Sequence, residues 1–473
     1  MKVQQSEFIK EKRPLLLRLR DLLVAEYDYA SILAMDSQAR RYDVSRMNMN
    51  ANEQELLSSR GFVVRVNHHG RWVEYSFNLL SEETLEDVIN QIRELVQTKA
   101  ALPEGLSENR YTAPASEPSH FSGSTDYELD PEALGDEAIL ERLVSLKNRG
   151  LAVSDRILDF QVRFVYQKYT KLFLAKDREL LQNVMWSNGA MLSVASRGDE
   201  MKTAHKSFSC LGGAELLKSM EGGVEDCVRT GLELLESLPV EPGEYDCVCT
   251  PAVTGLIVHE AFGHGVEMDM FVKKRALAEN FIGQYVASPL VTMHDGGATE
   301  AASYFFDDEG IMASDTLIID KGVLKQGIND LLSAQALGVN PSGNGRRQDY
   351  RRKAYTRMTN TWFEGGHGKV EDMIASIRYG FLLDGPASGM EDPKNWGIQC
   401  MVNIAREIRD GRLTGRVFSP VVLTGYVPDL LKSITAMSET VALSGSGFCG
   451  KGHKEIVKAA DGGPYIKARI RLG

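Results

Sequence analysis

Residues 250–264 read TPAVTGLIVHEAFGH, and this stretch determines how the rest of the chain is interpreted. It combines a helix start with a His-Glu-x-x-x-His motif formed by His259, Glu260 and His264. Thr250 is a good N-cap, the proline after it suits the first helical position, and apolar residues at helical spacing give an inward face. Two imidazoles and an adjacent carboxylate on one short element are the groups needed to hold a zinc ion and to activate a water molecule on it.

The spacing of the two histidines is one residue longer than in the common His-Glu-x-x-His motif of metallopeptidases. In a regular α-helix, residues five apart are separated by about 140° around the axis and about 7.5 Å along it. A zinc ion binds imidazole nitrogens at about 2.0–2.1 Å, so a straight helix cannot easily bring both rings to one ion. A π-helical turn repeats every five residues and would place them on nearly the same face. We therefore predict a π-bulge or a local unwinding around residues 261–263.

The alternative interpretation of this motif is a buried helix with two hydrogen-bonded histidines and a capped glutamate. For a single histidine that interpretation is usually the better one. Here two histidines flank Glu260 on a helix that is otherwise apolar. A glutamate on an apolar face is costly to bury without a metal or a partner. The pattern as a whole therefore favours a metal site.

A catalytic zinc usually has three protein ligands and a water, so a third ligand must come from elsewhere in the chain. The candidates are Cys449, His453, Glu267, Asp269 and His294. Cys449 is flanked by small residues that let the backbone approach a crowded centre, and nearby Lys451 would favour the thiolate that binds metal. From the spacing alone, a free and half-buried cysteine in a flexible loop is an equally good interpretation.

Length and composition limit the class of protein. The chain has 473 residues, enough for two or three domains, and its 43% hydrophobic and 25% charged residues are ordinary for a soluble globular protein. A net charge of −11 argues against a nucleic-acid partner held through phosphate contacts. No apolar run approaches the length that spans a bilayer, and residues 1–20 lack the apolar core of a signal peptide. Six cysteines in so long a chain do not make a disulfide framework, so we expect a cytoplasmic protein.

The order of predicted elements indicates an α+β fold with two regions. Residues 1–238 form an N-terminal α/β region, beginning with a helix over about 14–35, in which a strand-strand-helix pattern occurs twice and hints at an internal duplication. Residues 102–134 are rich in Pro, Ser and Gly and predict a long loop. In residues 239–473, short strands divided by Gly and Asp turns predict a mainly antiparallel β domain that carries the motif helix.

Two charged segments of the C-terminal region could also have functions. The acidic residues 307–309 could hold a hard cation such as Ca²⁺ or Mg²⁺, but a simple acidic turn is the favoured interpretation. A basic run could anchor a peptide carboxylate by bidentate pairing, although a loop with internal ion pairs is favoured. This run consists of Arg346, Arg347, Arg351, Arg352 and Lys353.

Residues 259–267, HEAFGHGVE, resemble the motif of the TldD/PmbA metallopeptidases, historically labelled modulators of DNA gyrase. Other stretches agree with this family in the same order along the chain. They are FDDEGI at 306–311, GNGRRQ at 343–348, YRR at 350–352, RMTNT at 357–361 and CGK at 449–451. The resemblance is strong from about residue 250 to 452 and fainter in the first half.

The resemblance implies a function and a set of site residues. His259, His264 and Cys449 match the zinc ligands of the family, and Glu260 matches its general base. Members cleave small or unfolded peptides in the cytoplasm, as homodimers or as heterodimers with a paralogue that has lost the motif. This chain keeps the motif and so resembles the active TldD type. It departs from the family pattern in the more polar segment after residue 451, where His453 could compete as a ligand.

We therefore expect a Zn²⁺-dependent peptidase with Glu260 as the base, no nucleic-acid partner and no membrane association. An exposed strand edge in the β domain could bind a peptide as an additional strand. One alternative is a peptide-binding or regulatory protein with a structural zinc, which four protein ligands would favour. The other is a hydrolase of small amides, which a closed and narrow pocket would favour.

Overall fold

A computed structural model of the protein describes residues 1–101, 114, 119–453 and 455–473. Groups of consecutive strands are separated by helices along the chain, and strands predominate, so the predicted mixed α+β class is confirmed. Within these residues, no helix is both long enough and apolar enough to cross a bilayer.

One sheet of eight strands organises the N-terminal region of the described chain. The strands are β1 (Tyr29–Val44), β2 (Met49–Glu53), β3 (Ser59–His68), β4 (Arg71–Phe77), β5 (Ser119–Ser124), β6 (Ile157–Ala175), β7 (Arg178–Arg197) and β8 (Glu200–Cys210). Their order is β4-β3-β1-β6-β7-β5, with β2 paired to β1 and β8 paired to β7. All pairs are antiparallel except β5 with β7.

Along the chain, helices precede and follow each of two groups of strands, β1–β4 and β6–β8. They are α1 (Glu7–Glu26), α2 (Leu85–Ala100), α3 (Pro131–Leu134), α4 (Asp136–Ala152), α5 (Leu216–Glu221) and α6 (Val224–Leu234). The order helix, antiparallel strands, helix therefore occurs twice. This order agrees with an internal duplication, which stays a prediction, as does a domain boundary near residue 239.

The first helix begins earlier and ends earlier than predicted. The hydroxyl of Ser6 accepts a hydrogen bond from the backbone N–H of Ile9 and caps α1. The predicted helix extended to residue 35, but residues from Tyr29 onward belong to β1. This strand lies between β3 and β6 and is buried on both faces, and such a continuous apolar run does not distinguish a strand from a helix.

The predicted long loop at residues 102–134 is only partly described. Residues 102–113 and 115–118 lie outside the described residues. The remainder contains β5 and α3, which differs from the prediction. Strand β5 is polar, with the sequence SHFSGS, and is held by backbone pairing with β7. Its composition therefore resembles that of a loop.

A larger sheet of eleven strands organises the described C-terminal region. It contains β9 (Gly243–Cys249), β10 (Met293–Asp295), β11 (Thr316–Asp320), β12 (Val323–Leu324), β15 (Asn360–Phe363), β16 (Tyr379–Asp392), β17 (Gly397–Arg409), β18 (Arg412–Phe418), β19 (Val421–Tyr426), β20 (Ala436–Ser444) and β23 (Ala460–Leu472). Most pairs are antiparallel, and β15 with β23 and β16 with β9 are parallel. Because β9 pairs with both β16 and β23, part of the sheet closes on itself.

Two short hairpins and five short helices complete this region. The hairpins pair β13 (Gly345–Arg346) with β14 (Tyr355–Thr356), and β21 (Phe448–Lys451) with β22 (Glu455–Lys458). The helices are α7 (Pro251–Leu256), α8 (Met268–Val272), α9 (Leu331–Leu337), α10 (Val370–Ala375) and α11 (Val427–Lys432). Hairpin β21–β22 carries two of the candidate ligands, Cys449 on β21 and His453 in its turn.

Helix α7 is packed tightly on β23 because Gly255 has no side chain. A Cβ atom at this position would lie 2.8 Å from the backbone nitrogen of Gly462 and 2.4 Å from a carboxylate oxygen of Asp461. Val253 of α7 is fully buried in the C-terminal core, as are Ile257, Val258, Ala261 and Phe262 of the following turn. This close packing therefore fixes the position of the C-terminal end of α7, next to the candidate site.

The predicted acidic turn at residues 307–309 is part of the contact between the two regions. Asp308 pairs with Lys171, and Glu309 pairs with Arg65, both from the N-terminal sheet. The Asp307 carboxylate accepts hydrogen bonds from three backbone N–H groups, those of residues 309, 311 and 345. Since these carboxylates already have partners, the arrangement favours the acidic turn over a cation site.

Candidate metal centre

A π-helical turn follows α7 and contains the His-Glu-x-x-x-His motif. It spans Ile257–Gly263, and the backbone N–H of His264 donates to the carbonyl of His259, five residues earlier. The predicted π-turn is thus confirmed. The rings of His259 and His264 lie on the same side, with centroids 5.2 Å apart and planes at 86°. A regular α-helix would have separated them.

Cys449 on β21 joins the two histidines. The nitrogen and sulfur atoms of His259, His264 and Cys449 that could bind a metal all lie within 4.8 Å of one another. The Cys449 Sγ is 3.6 Å from the His264 Nε2. Cysteine and histidine are typical zinc ligands, and this grouping is one that a single ion could bridge.

The other four candidates for the third ligand are not part of this group of donor atoms. His453 is exposed in the turn of the hairpin. Glu267 and Asp269 both accept hydrogen bonds from Lys451. His294 lies between the carboxylates of Asp315 and Glu364, with a nitrogen 3.0 Å from each. Of the five candidates, only Cys449 is grouped with the motif histidines.

A buried chain of charges orients His264. Its Nδ1 is 3.3 Å from Glu267, whose carboxylate is 3.0 Å from the Lys451 Nζ. Lys451 also donates to Asp269 at 2.7 Å and to the carbonyl of Thr356 at 3.0 Å. Burial would raise the pKa of Glu267, but Lys451 and His264 lower it to about 2. An ionised carboxylate on the remote ring nitrogen fixes the tautomer that leaves Nε2 free to bind metal.

His259 has a buried ring nitrogen without a hydrogen-bond partner among the described residues. This atom, Nδ1, is 3.6 Å from the carboxylate of Asp461 on β23, a distance too long for a hydrogen bond. Burial raises the pKa of Asp461 to about 6, although His259 opposes the increase. A buried imidazole nitrogen without a partner, beside a cysteine and a second imidazole, fits a metal such as zinc.

The Cys449 side chain is stabilised as a thiolate. Burial alone would raise its pKa, but His259 and His264 outweigh burial and lower the pKa well below the ordinary range. For both imidazoles, burial would lower the pKa, and the neighbouring sulfur raises it instead. The thiolate is the form that binds metal, so the three side chains provide a suitable donor set.

Glu260 lies beside the donor set and is partly exposed. Its side chain rests against Gly389 of β16, where a Cβ atom would be 2.4 Å from the Glu260 Cγ. Within the described part of the chain, no hydrogen bond or ion pair engages its carboxylate. The group is therefore free to exchange a proton with a molecule bound at the site.

Sequence reasoning did not identify two carboxylates of this centre, Asp461 and Glu391. Glu391 on β16 has buried carboxylate oxygens beside Gly265. A Cβ atom added to Gly265 would lie 2.7 Å from the Glu391 Oε1. Burial raises the pKa of Glu391 well above the ordinary range, partly opposed by His264. Each residue comes from a strand distant in sequence from the motif. An acidic residue near glycines in a strand, as in Asp461-Gly462-Gly463, was the only available signal.

A cleft of about 750 Å³ lies between the N-terminal and C-terminal sheets. Its N-terminal wall includes Leu192 and residues 204–207, and its C-terminal wall includes Pro386 of β16. The cleft also reaches Asp461, the neighbour of His259. A molecule in this cleft would thus lie close to the candidate metal centre.

Comparison with known proteins identifies the family. A family model for the PmbA/TldA metallopeptidase C-terminal domain matches residues 242–469. A metalloprotease of Methanothermobacter thermautotrophicus is 31% identical over 321 residues, which cover 67% of this chain and 69% of the relative. Metalloprotease slr0863 of Synechocystis is 28% identical over 455 residues, 94% of each chain. The chain therefore belongs to the PmbA/TldD metallopeptidase family, as the motif had predicted.

Two further similarities concern the metal and the fold. A protein of Saccharolobus solfataricus, named a zinc metalloprotease TldD homolog, is 23% identical over 432 residues, 87% of this chain and 90% of that one. The crystal structure of a Thermotoga maritima protein, described as a modulator of a DNA gyrase, superimposes with a TM-score of 0.77. It covers 98% of this chain and 100% of its own at 14% identity. At that identity the structural similarity is evidence for the fold alone.

Proposed function

We propose that the protein is a zinc-dependent peptidase that cleaves small or unfolded peptides. The observation that carries the proposal is the π-turn that brings His259 and His264 together with Cys449 and leaves Glu260 free beside them. Relatives named as metalloproteases support a metal-dependent peptidase, and one of them is named for zinc.

Each residue of the centre has a chemical role in this proposal. When bound, zinc would polarise a peptide carbonyl and increase the acidity of a water molecule. Glu260 accepts the proton of the attacking water on its carboxylate and then donates it to the leaving amine. Glu267, held by Lys451, keeps the His264 ring in its orientation. Asp461 places a carboxylate 3.6 Å from the Nδ1 of His259, without a hydrogen bond to it.

The surroundings of the centre support a peptide substrate over the two alternatives. Three protein donors are grouped in the described structure, and a catalytic zinc uses three, whereas a structural zinc uses four. A cleft of about 750 Å³ is within the range of ligand sites and differs from the narrow pocket expected for a small-amide hydrolase. The expected homodimer or heterodimer with a paralogue remains part of the proposal.

The test is the variant Glu260→Gln, which removes the base and preserves the shape of the side chain. We expect hydrolysis of an unstructured fluorogenic peptide to fall by at least about 100-fold. Metal content, measured by mass spectrometry after dialysis, should equal that of the wild type. The control is Glu244→Gln, at an exposed position of β9, and this variant should retain activity. Wild-type activity in Glu260→Gln would remove the base from the proposal, and activity that survives complete chelation would remove the metal.

A further inference from the structure

A second cavity adjoins the hairpin that carries Cys449. It has a volume of about 70 Å³, where a single water needs about 10–15 Å³. The N-terminal sheet contributes Tyr169 and Trp186 to its lining, and the C-terminal region contributes Tyr304, Arg346 and Lys458. The cavity can thus hold a group of several atoms between the two regions.

Lys458 is the most unusual group in this lining. Its residue is only 7% exposed, and its ammonium nitrogen has no hydrogen-bond partner among the described residues. The nitrogen lies 4.3 Å from the ring centroid of Trp186 and 4.5 Å from that of Phe448. These ring faces attract a cation but offer no oxygen atom to its N–H donors. A buried polar group without an acceptor is expensive, so this one points to a ligand.

Arg346 is a second buried cation of the cavity. Its guanidinium lies 5.0 Å from the ring centroid of Tyr304. Its side chain donates to the carbonyl of Met358, and the described residues provide no carboxylate partner for it. Of the five residues in the predicted basic run, Arg347 pairs with Glu74 and Arg351 pairs with Asp349. Arg346 is therefore available for a ligand.

The carboxylates that line the cavity already have partners. Asp308 pairs with Lys171, and Asp36 pairs with Arg60. Asp307 accepts hydrogen bonds from backbone N–H groups. The charge of the Glu300 carboxylate favours the charged form of Lys458. This carboxylate already accepts hydrogen bonds from the Ser209 hydroxyl and the backbone N–H of residue 301. Lys458 and Arg346 thus have no carboxylate partner among the described residues, whereas Asp36 and Asp308 are ion-paired.

The balance of charges on Lys458 agrees with this description. Burial lowers the pKa of its ammonium well below the ordinary range, Glu300 opposes the decrease, and Arg346 adds to it. An anion in the cavity would favour the charged form of the lysine. Binding of an anion and protonation of Lys458 would therefore support each other.

We propose that this cavity is a binding site for a small oxyanion, held between the Lys458 ammonium and the Arg346 guanidinium. The planar guanidinium matches the geometry of carboxylate and phosphate oxygens, and the ammonium adds a point charge. The site is separate from the metal centre. The lining of the cavity includes none of the three candidate metal donors, His259, His264 and Cys449. The proposal does not depend on the proposed peptidase activity.

The test is thermal unfolding of the full chain, titrated separately with sodium phosphate and sodium acetate at constant ionic strength. A ligand that binds only the folded state raises the midpoint in a saturable way. In Lys458→Met, which keeps the packing against Trp186, we expect the apparent affinity to fall by about 30-fold or more. The matched control is Lys218→Met, an exposed lysine on α5, which should respond like the wild type.

The two anions distinguish the chemical class of the ligand. A saturable response to both supports a general oxyanion site, and a response to one identifies phosphate or carboxylate as the preferred group. No saturable response to either, or an equal response in Lys458→Met, would overturn the proposal. If that variant does not fold, tryptophan fluorescence of the wild type provides a second measurement. An anion-dependent change that persists in Trp186→Phe would also count against the cavity.

Discussion

Two lysines on the same hairpin, Lys451 and Lys458, have opposite surroundings. Lys451, at the end of β21, donates to the carboxylates of Glu267 and Asp269 and to a backbone carbonyl. Lys458, at the end of β22, has two aromatic rings and no acceptor among the described residues. Burial would lower the pKa of both ammonium groups. The two carboxylates raise that of Lys451 above its ordinary value, whereas the pKa of Lys458 is lowered well below it.

The comparison separates a cation that belongs to the fold from one that requires a ligand. Lys451 connects the hairpin to the π-turn, because its partner Glu267 also contacts His264. A charge buried for structural reasons has its acceptors within the protein. Lys458 lacks such acceptors among the described residues, although it belongs to the same hairpin. Burial alone therefore does not reveal the role of a charged residue, and its partners do.

The largest effect is expected from Lys451→Met, which removes the ammonium shared by Glu267 and Asp269 and leaves Asp269 with only the exposed Lys273 as a cation. Removing one partner of a buried ion pair costs about 3–5 kcal/mol. The free energy of unfolding, obtained from urea denaturation of the metal-free protein, should decrease by that amount. A loss below about 1 kcal/mol would contradict the assignment of Lys451 as a structural counter-charge.

A smaller effect is expected from Glu267→Gln, which keeps a hydrogen bond to His264 but removes the negative charge. Residues that orient a metal-bound histidine contribute about 10–100-fold to metal affinity. We expect a loss of this size for zinc, measured by competition with a chromogenic chelator. Asp269 contacts Lys451 but not the His264 ring, so the variant Asp269→Asn serves as the comparison. If Asp269→Asn weakens zinc binding as much as Glu267→Gln, the effect would arise from Lys451 and not from His264.

Arg347 is another buried cation, and its carboxylate partner is Glu74. This ion pair predicts a pH dependence of stability. Burial would raise the pKa of Glu74, but Arg347 lowers it below the ordinary value of 4.5. The stabilisation is therefore complete above about pH 4.5 and is lost as the pH falls through the lower pKa of the folded state. Glu74→Gln should destabilise the protein by about 1–2 kcal/mol at pH 7. Denaturation curves of the two proteins should converge below pH 4.5, and a constant difference would exclude this pair as the cause.

The smallest effect on stability is expected from Lys458→Met. Removing a buried charge that has no acceptor does not leave a carboxylate unpaired, so the change should be within about 1 kcal/mol or stabilising. The same urea measurement as for Lys451→Met, at low anion concentration, provides a direct contrast between the two lysines. A loss as large as that of Lys451→Met would indicate an internal partner for Lys458.

The local chemistry of the motif was predictable from the sequence, and the course of some elements was not. The five-residue spacing between His259 and His264 predicted a π-bulge or a local unwinding, and a π-turn is present. By contrast, the apolar run from Tyr29 was assigned to a helix and is a strand, because burial on both faces removes the alternation that identifies strands. The polar strand β5 was assigned to a loop because backbone pairing, rather than its side chains, holds it in the sheet.

The sequence by itself determined the motif, its unusual helical turn and the family, because these depend on the identity and spacing of nearby residues. It left five candidates for the third ligand open, and only the resemblance favoured Cys449. Tertiary structure decided which side chains surround each charge. Cys449 and His264 are 185 residues apart in the chain, and the acceptors of Lys451 come from another element. Such contacts depend on how distant strands and helices pack, and no local pattern records that packing.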